Sequence, residues 1–187
     1  SFSNFFSFNS TWFKADTVNL SVFHDSEKLA FSAKNLRANI DLSDREGMFF
    51  SNGLGSYVNF PASEYICYID QLKWEMDKEQ LTFGNKDVLS KSRSQFISTN
   101  KDQDSLSFYA KSADYSLRDY VINASGVDSI AIADAIIYPD SAKLIVSRNA
   151  EIQTLKNSKI LLDTLVRYHE FDNATVDFVK IDGTYVG

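Results

Sequence analysis

Leu36-Arg37-Ala38-Asn39-Ile40-Asp41-Leu42 sets apolar side chains at every second position, with a polar residue in each gap. Successive side chains of an extended chain point to opposite faces, so this spacing predicts a strand with one dry face and one wet face. The pattern spreads outward in both directions. Val18, Leu20 and Val22 alternate with Asn19 and Ser21. Leu106, Phe108 and Ala110 alternate with Ser105, Ser107 and Tyr109, and Val176 and Phe178 with Thr175 and Asp177. Leu72, Trp74 and Met76 do the same, although Ile69, Leu72 and Met76 would also fit a helical stripe. Trp74 joins only the period-two set, so a strand is expected there too. Two-faced strands of this kind belong to antiparallel sheets with one solvated side.

The turn chemistry agrees. Gly and Pro are scarce, at 7 and 2 residues, and Asp, Asn and Ser stand in for them. Their short polar side chains bond nearby backbone and disfavour helix. The expected fold is all-β: a curved or stacked antiparallel sheet, β-jellyroll or open β-groove, with little helix. Residues 1–85 form an N-terminal β region and 86–104 a polar loop or linker. Residues 105–187 form a stacked β quasi-repeat region, the whole being one continuous fold and a fragment of a longer chain. The quasi-repeat rests on Asn123-Ala124, Asn149-Ala150 and Asn173-Ala174, about 25 residues apart. If its units stack, Ile122, Ile132 and Val146 share a core and Ala131 faces away from it.

Composition narrows the function. A chain of 187 residues with 44% hydrophobic and 24% charged residues is globular. A net charge of −6 argues against nucleic acid, whose partners gather a basic surplus. The longest apolar run, Tyr65 to Ile69, is too short for a transmembrane segment. His24, Cys67 and His169 are too few and too scattered for a closed zinc site, and Cys67 reads as a small buried hydrophobe. Asn100-Lys101-Asp102-Gln103-Asp104 lacks the glycine and terminal glutamate of a calcium loop. Gly53-Leu54-Gly55 is a tight turn rather than a nucleotide motif. His24-Asp25 and His169-Glu170 are conceivable acid–base pairs, but strand neighbours point apart. No catalytic, cofactor-binding or metal residue is assigned, and no cofactor is expected. The sequons at Asn9, Asn19, Asn123 and Asn173 follow from composition.

Three segments carry a resemblance. Tyr109-Ala110-Lys111-Ser112-Ala113-Asp114-Tyr115, Tyr120-Val121-Ile122-Asn123-Ala124-Ser125-Gly126-Val127 and Ile132-Ala133-Asp134-Ala135 resemble the repeating unit of lipopolysaccharide-transport bridge proteins. The broader group of groove-forming envelope proteins, including the translocation and assembly module family, is similar. Ile69 through Asp163 also resembles repetitive, very large β proteins of Gram-negative envelopes. Gly126-Val127 occurs here once rather than in every unit. The resemblance implies a non-enzymatic structural or groove-forming module of a large bacterial envelope or surface protein, in the periplasm, at the outer membrane or at the surface. Lipid, or other parts of the parent chain, would be the partner. The alternative is a carbohydrate-binding β-sandwich, with glycan as partner and Trp12, Trp74 and nearby tyrosines as stacking residues. The aromatic run Phe2, Phe5, Phe6, Phe8, Trp12 and Phe13 is expected to pack in the core or across strands.

Overall fold

A computed structural model describes residues 5–24, 27–84, 93–162 and 169–178, together with the backbone of 180–181 and 184–185. It is all-β and antiparallel. In chain order the strands are β1 Phe6–Phe8, β2 Trp12–His24, β3 Lys28–Asp41, β4 Glu46–Ser51, β5 Tyr57–Phe60, β6 Tyr65–Tyr68, β7 Gln71–Glu75, β8 Gln80–Gly84 and β9 Ser94–Ser98. They continue with β10 Ser107–Ala110, β11 Ser112–Ser116, β12 Val121–Ser125, β13 Ile130–Ile132, β14 Ala135–Tyr138, β15 Lys143–Val146, β16 Leu155–Leu162 and β17 His169–Val176. A separate two-residue pair joins β18 Lys180–Ile181 to β19 Thr184–Tyr185.

The pairing describes a sheet folded into two leaves. One leaf runs β5–β6–β9–β10–β13–β14. The other runs β4–β7–β8–β11–β12–β15. The chain visits them in turn, one hairpin in each. Among the described residues, the crossings therefore lie along one side, which we call the spine, and the hairpin turns lie along the other, the tips. Crossings from the first leaf to the second are short: Ile69-Asp70 after β6, and Lys111 alone after β10. The fold is not a closed barrel. The hairpins β2–β3 and β16–β17 stand at its two ends; β3 pairs with both leaves, while β16 pairs with β14 and the segment before it bridges β15 at Ile152.

The end hairpins bend where local chemistry permits. Residues 32–34 of β3 pair with β5 and residues 36–41 with β4, so β3 changes leaf at Asn35. Asn35 has φ 56, a left-handed conformation that asparagine tolerates better than most residues. Its N–H donates to Asn19 Oδ1 (3.0 Å) and its carbonyl accepts from Ser56 Oγ (2.7 Å). Gly84 closes β8 at φ 74, where an added Cβ would stand 2.4 Å from the Lys111 carbonyl oxygen. Only glycine fits that crossing.

The core lies between the leaves. Phe60 of the first leaf meets Phe83 and Tyr115 of the second, with ring centroids 5.6 and 4.3 Å apart. Phe83 in turn meets Phe96 of the first leaf (6.0 Å), and Phe96 stacks on Phe108 (5.0 Å). All five of these rings are no more than 1% exposed. Each buried aromatic of this kind contributes roughly 1.5–3 kcal/mol. Ile122, Ile132 and Val146 belong to the same cluster, Ile122 pairs with Val146, and Ala131 is exposed.

Three expectations are corrected. The stretch 86–104 is not a loop or linker throughout: 86–92 lie outside the described residues, but Ser94–Ser98 forms β9 between β6 and β10. Its buried positions are Ser94, Phe96 and Ser98, small hydroxyls that made a core strand look polar. The Asn–Ala pairs do not occupy equivalent places. Asn123 is mid-strand in β12, Asn149 sits at φ 56 in a 3-10 turn, and Asn173 sits at φ 58 in β17. The unit that recurs is one hairpin in each leaf, longer than the Asn–Ala interval. Finally, the outer face of the first leaf is not uniformly polar, because Ile66, Ile97, Ile136 and Leu161 lie there half-buried.

Candidate functional site

The interior between the leaves is the natural place for a groove, and among the described residues its two long sides are bridged. The spine is closed by backbone: Lys111 N–H donates to Ser125 O (3.0 Å) and Val127 N–H to Ala142 O (3.0 Å). The tips are clasped by Ser147–Glu151, which includes a 3-10 turn at Arg148–Ala150. Asn149 N–H donates to Ala62 O in the β5–β6 turn (2.8 Å). Gln103, buried in the β9–β10 turn, donates through Nε2 to Ala150 O (2.5 Å) and accepts from Tyr65 Oη (3.0 Å). Arg148 lies over the Tyr120 ring at 4.5 Å, and Ser63 Oγ donates to Tyr120 O (2.8 Å). These bonds tie the turns of one leaf to those of the other.

What remains open is an end. Between the β13–β14 turn, β16 and β17 lies a cavity of about 640 Å³, lined by Ile132, Ala135, Ile137, Ile160, Ala174 and Phe178 among others. Asp134 and Asp177 stand among its lining residues. Ala135, Ile160, Ala174 and Phe178 pack on the core from the half-buried side. The opposite end has a matching set in Phe13, Val18, Leu20 and Val22 on β2. In β17, every residue from His169 to Asn173 is exposed. Among the described residues, no strand pairs with the far edge of β17.

The residues singled out from sequence are dispersed. Asp25 lies outside the described residues. His24, half-buried, meets Tyr120 edge-on at 6.4 Å. His169 and Glu170 are successive exposed positions of β17, and the Glu170 carboxylate pairs with Lys159. That pairing raises the Lys159 pKa, the hydrogen bond to Glu170 being the largest cause. Cys67 is buried opposite Phe96, and burial pushes its thiol well above the usual range. Asn100 caps the 3-10 turn of the β9–β10 connection, its Oδ1 accepting from Asp102 N–H (2.8 Å). Gly53 and Gly55 make the β4–β5 turn at φ 95 and 84. Among the described residues, no three His, Cys, Asp or Glu side chains gather as a metal group, and no helix is long and apolar enough to cross a membrane.

The two tryptophans are poorly placed to stack on sugar. Trp74 packs edge-on against Phe31 in the core (5.8 Å), and Lys14 Nζ covers Trp12 at 5.4 Å from its ring centre. Phe5, Phe6 and Phe8 are exposed rather than packed in the core, with Phe6 and Phe8 stacked on each other at 6.3 Å. Burial lifts the Tyr115 phenol well above its ordinary range, with Ser63 acting weakly the other way. The buried Tyr115 hydroxyl makes no hydrogen bond of ordinary geometry, and Ser63, whose proton goes to Tyr120 O, offers it only an oxygen.

Sequence reasoning missed the clasp and the end cavity. Gln103 and Arg148 carry no pattern that foretells a bridge between turns distant in sequence. No family model, curated protein or solved structure matches the chain.

Proposed function

We propose that the chain is a non-enzymatic structural module of a large bacterial envelope or surface protein, with apolar binding confined to its ends. The observation that carries this reading is the filled interior: Phe60, Phe83, Phe96, Phe108 and Tyr115 occupy the space between the leaves. A groove running the length of the fold would need that space. Lipid or a partner chain would engage the cavity bounded by β16 and β17, where the lining is apolar and half-covered.

Titration with a dansylated fatty acid tests it. At most one chain should bind per molecule, and Ala174→Phe, which fills the cavity, should abolish binding. Several acyl chains per molecule would mean that the leaves part into a continuous groove, and would overturn the structural reading.

A further inference from the structure

The outer face of the first leaf carries an ordered row of tyrosines near the spine. Tyr68 and Tyr109 are both register partners of Gln95, one on each side. They therefore stand two strand spacings apart, roughly 9.6 Å. Beyond Tyr109 the register continues through Phe108↔Ile130 and Ile130↔Ile137, which sets Tyr138 two strands further on, with Ser129 between. Tyr57 begins the row, its ring 6.3 Å from that of Tyr68. Tyr68, Tyr109 and Tyr138 are 40%, 48% and 37% exposed. Lys34, partner of Tyr57, and Lys159, partner of Tyr138, bound the row. Between them it holds the tyrosines, Gln95 and Ser129, and no charged side chain.

The geometry points to a binding platform for a single neutral β-1,4-linked glycan chain. Aromatic faces stack on the apolar faces of sugar rings, and a phenol adds a polar handle for a hydroxyl. An extended β-1,4 chain presents the same ring face once per disaccharide, an interval close to two strand spacings. Gln95 and Ser129 fall under the intervening sugars, where amide and hydroxyl groups can exchange hydrogen bonds with ring hydroxyls. Beside the row the charges are mixed, with exposed Lys111 and Asp70 and the Arg93–Asp128 ion pair at its spine edge, and the net charge of −6 disfavours an acidic polymer. Strand twist turns successive platform tyrosines by about 45° over two strands, which suits a free, twisting chain better than a flat crystalline face. This platform lies on the opposite side of the leaf from the core and does not depend on the reading of the interior.

Calorimetric titration with cellohexaose and cellotriose tests it. Tyr68 to Tyr138 spans about 19 Å, so the hexasaccharide reaches all three rings and the trisaccharide cannot. Cellohexaose should bind at least about tenfold more tightly than cellotriose. Tyr109→Ala should weaken the hexasaccharide by about tenfold, and Tyr109→Phe, which keeps the ring, by about twofold or less. Both changes are at an exposed position, so circular dichroism should be unaltered. No binding by cellohexaose, equal affinity for the two lengths, or equal loss in the Ala and Phe variants would overturn the proposal. So would self-association that Tyr109→Ala abolishes, which would make this face a protein interface.

Discussion

Phe60 and Tyr115 touch across the two leaves, ring centroids 4.3 Å apart and planes tilted by 47°. They lie 55 positions apart in the chain numbering, on β5 and β11, and both are fully buried. Truncating Phe60 to Ala removes the ring that also contacts Phe83, and should cost about 3–5 kcal/mol in urea melts. A loss under about 1 kcal/mol would mean that the leaves do not pack as described.

Tyr115→Phe should behave in the opposite way. It removes a buried hydroxyl that makes no hydrogen bond of ordinary geometry, so stability at neutral pH should stay level or rise by about 1 kcal/mol. The pH dependence follows from the raised pKa. In the unfolded chain the phenol ionises near 10, while the folded protein keeps its proton to higher pH. Stability from this group is whole below about pH 10 and falls as pH rises toward the folded value, by about 1.4 kcal/mol per unit. Equilibrium unfolding from pH 9 to 11 should show a shallower alkaline decline in Tyr115→Phe than in the parent.

The β13 strand tests the alternation residue by residue. Ile130 is fully buried, and Ile130→Ala should cost about 3–5 kcal/mol. Ile132 faces the same way but lines the end cavity, so its truncation should fall near 2 kcal/mol. Ala131 is exposed on the outer face, and Ala131→Ser should stay within about 0.5 kcal/mol. Equal losses at the three positions would contradict the register.

Two glycines separate strain from collision. Gly53 has φ 95 and nothing within 4 Å of an added Cβ, so Gly53→Ala should cost about 1 kcal/mol from backbone conformation alone. Gly84→Ala adds a collision with the Lys111 carbonyl, and about 2–4 kcal/mol is expected. Thermal melts of the two variants compare them directly.

Gln103→Ala should release the clasp. It deletes the amide that joins Tyr65 Oη to Ala150 O in a buried site, breaking both hydrogen bonds, for about 2–3 kcal/mol. Hydrogen exchange should then quicken at Asn149 N–H while Ile122 N–H in β12 stays protected.

The strand period was legible because Leu36, Ala38 and Ile40, or Leu72 and Trp74, alternate against polar neighbours, and burial on one side of a sheet forces that alternation. Which leaf a strand joins was not legible. Val58 of the first leaf and Leu72 of the second obey the same rule, and the crossing that separates them is only Ile69-Asp70. β9 is not legible because its buried positions include Ser94 and Ser98, polar residues that break the apolar alternation. The tyrosine row could not be seen in the sequence either. Tyr68, Tyr109 and Tyr138 become neighbours only through the pairing of strands far apart in the chain.

The alternation of leaves gives the chain a form of modular arithmetic. In each leaf a hairpin pairs with the hairpin two places along the chain. Removing β7 through β10 together would set β6 against β13 and β4 against β11, with strand directions and inner faces still matched. Removing β7 and β8 alone would either leave two consecutive hairpins in one leaf or shift every later hairpin to the wrong side. The first deletion should express as a folded protein with a single cooperative melt, and the second should not. Length in this architecture can therefore change only in steps of two hairpins, and folding can zip from neighbour to neighbour without ever joining the two ends of the chain.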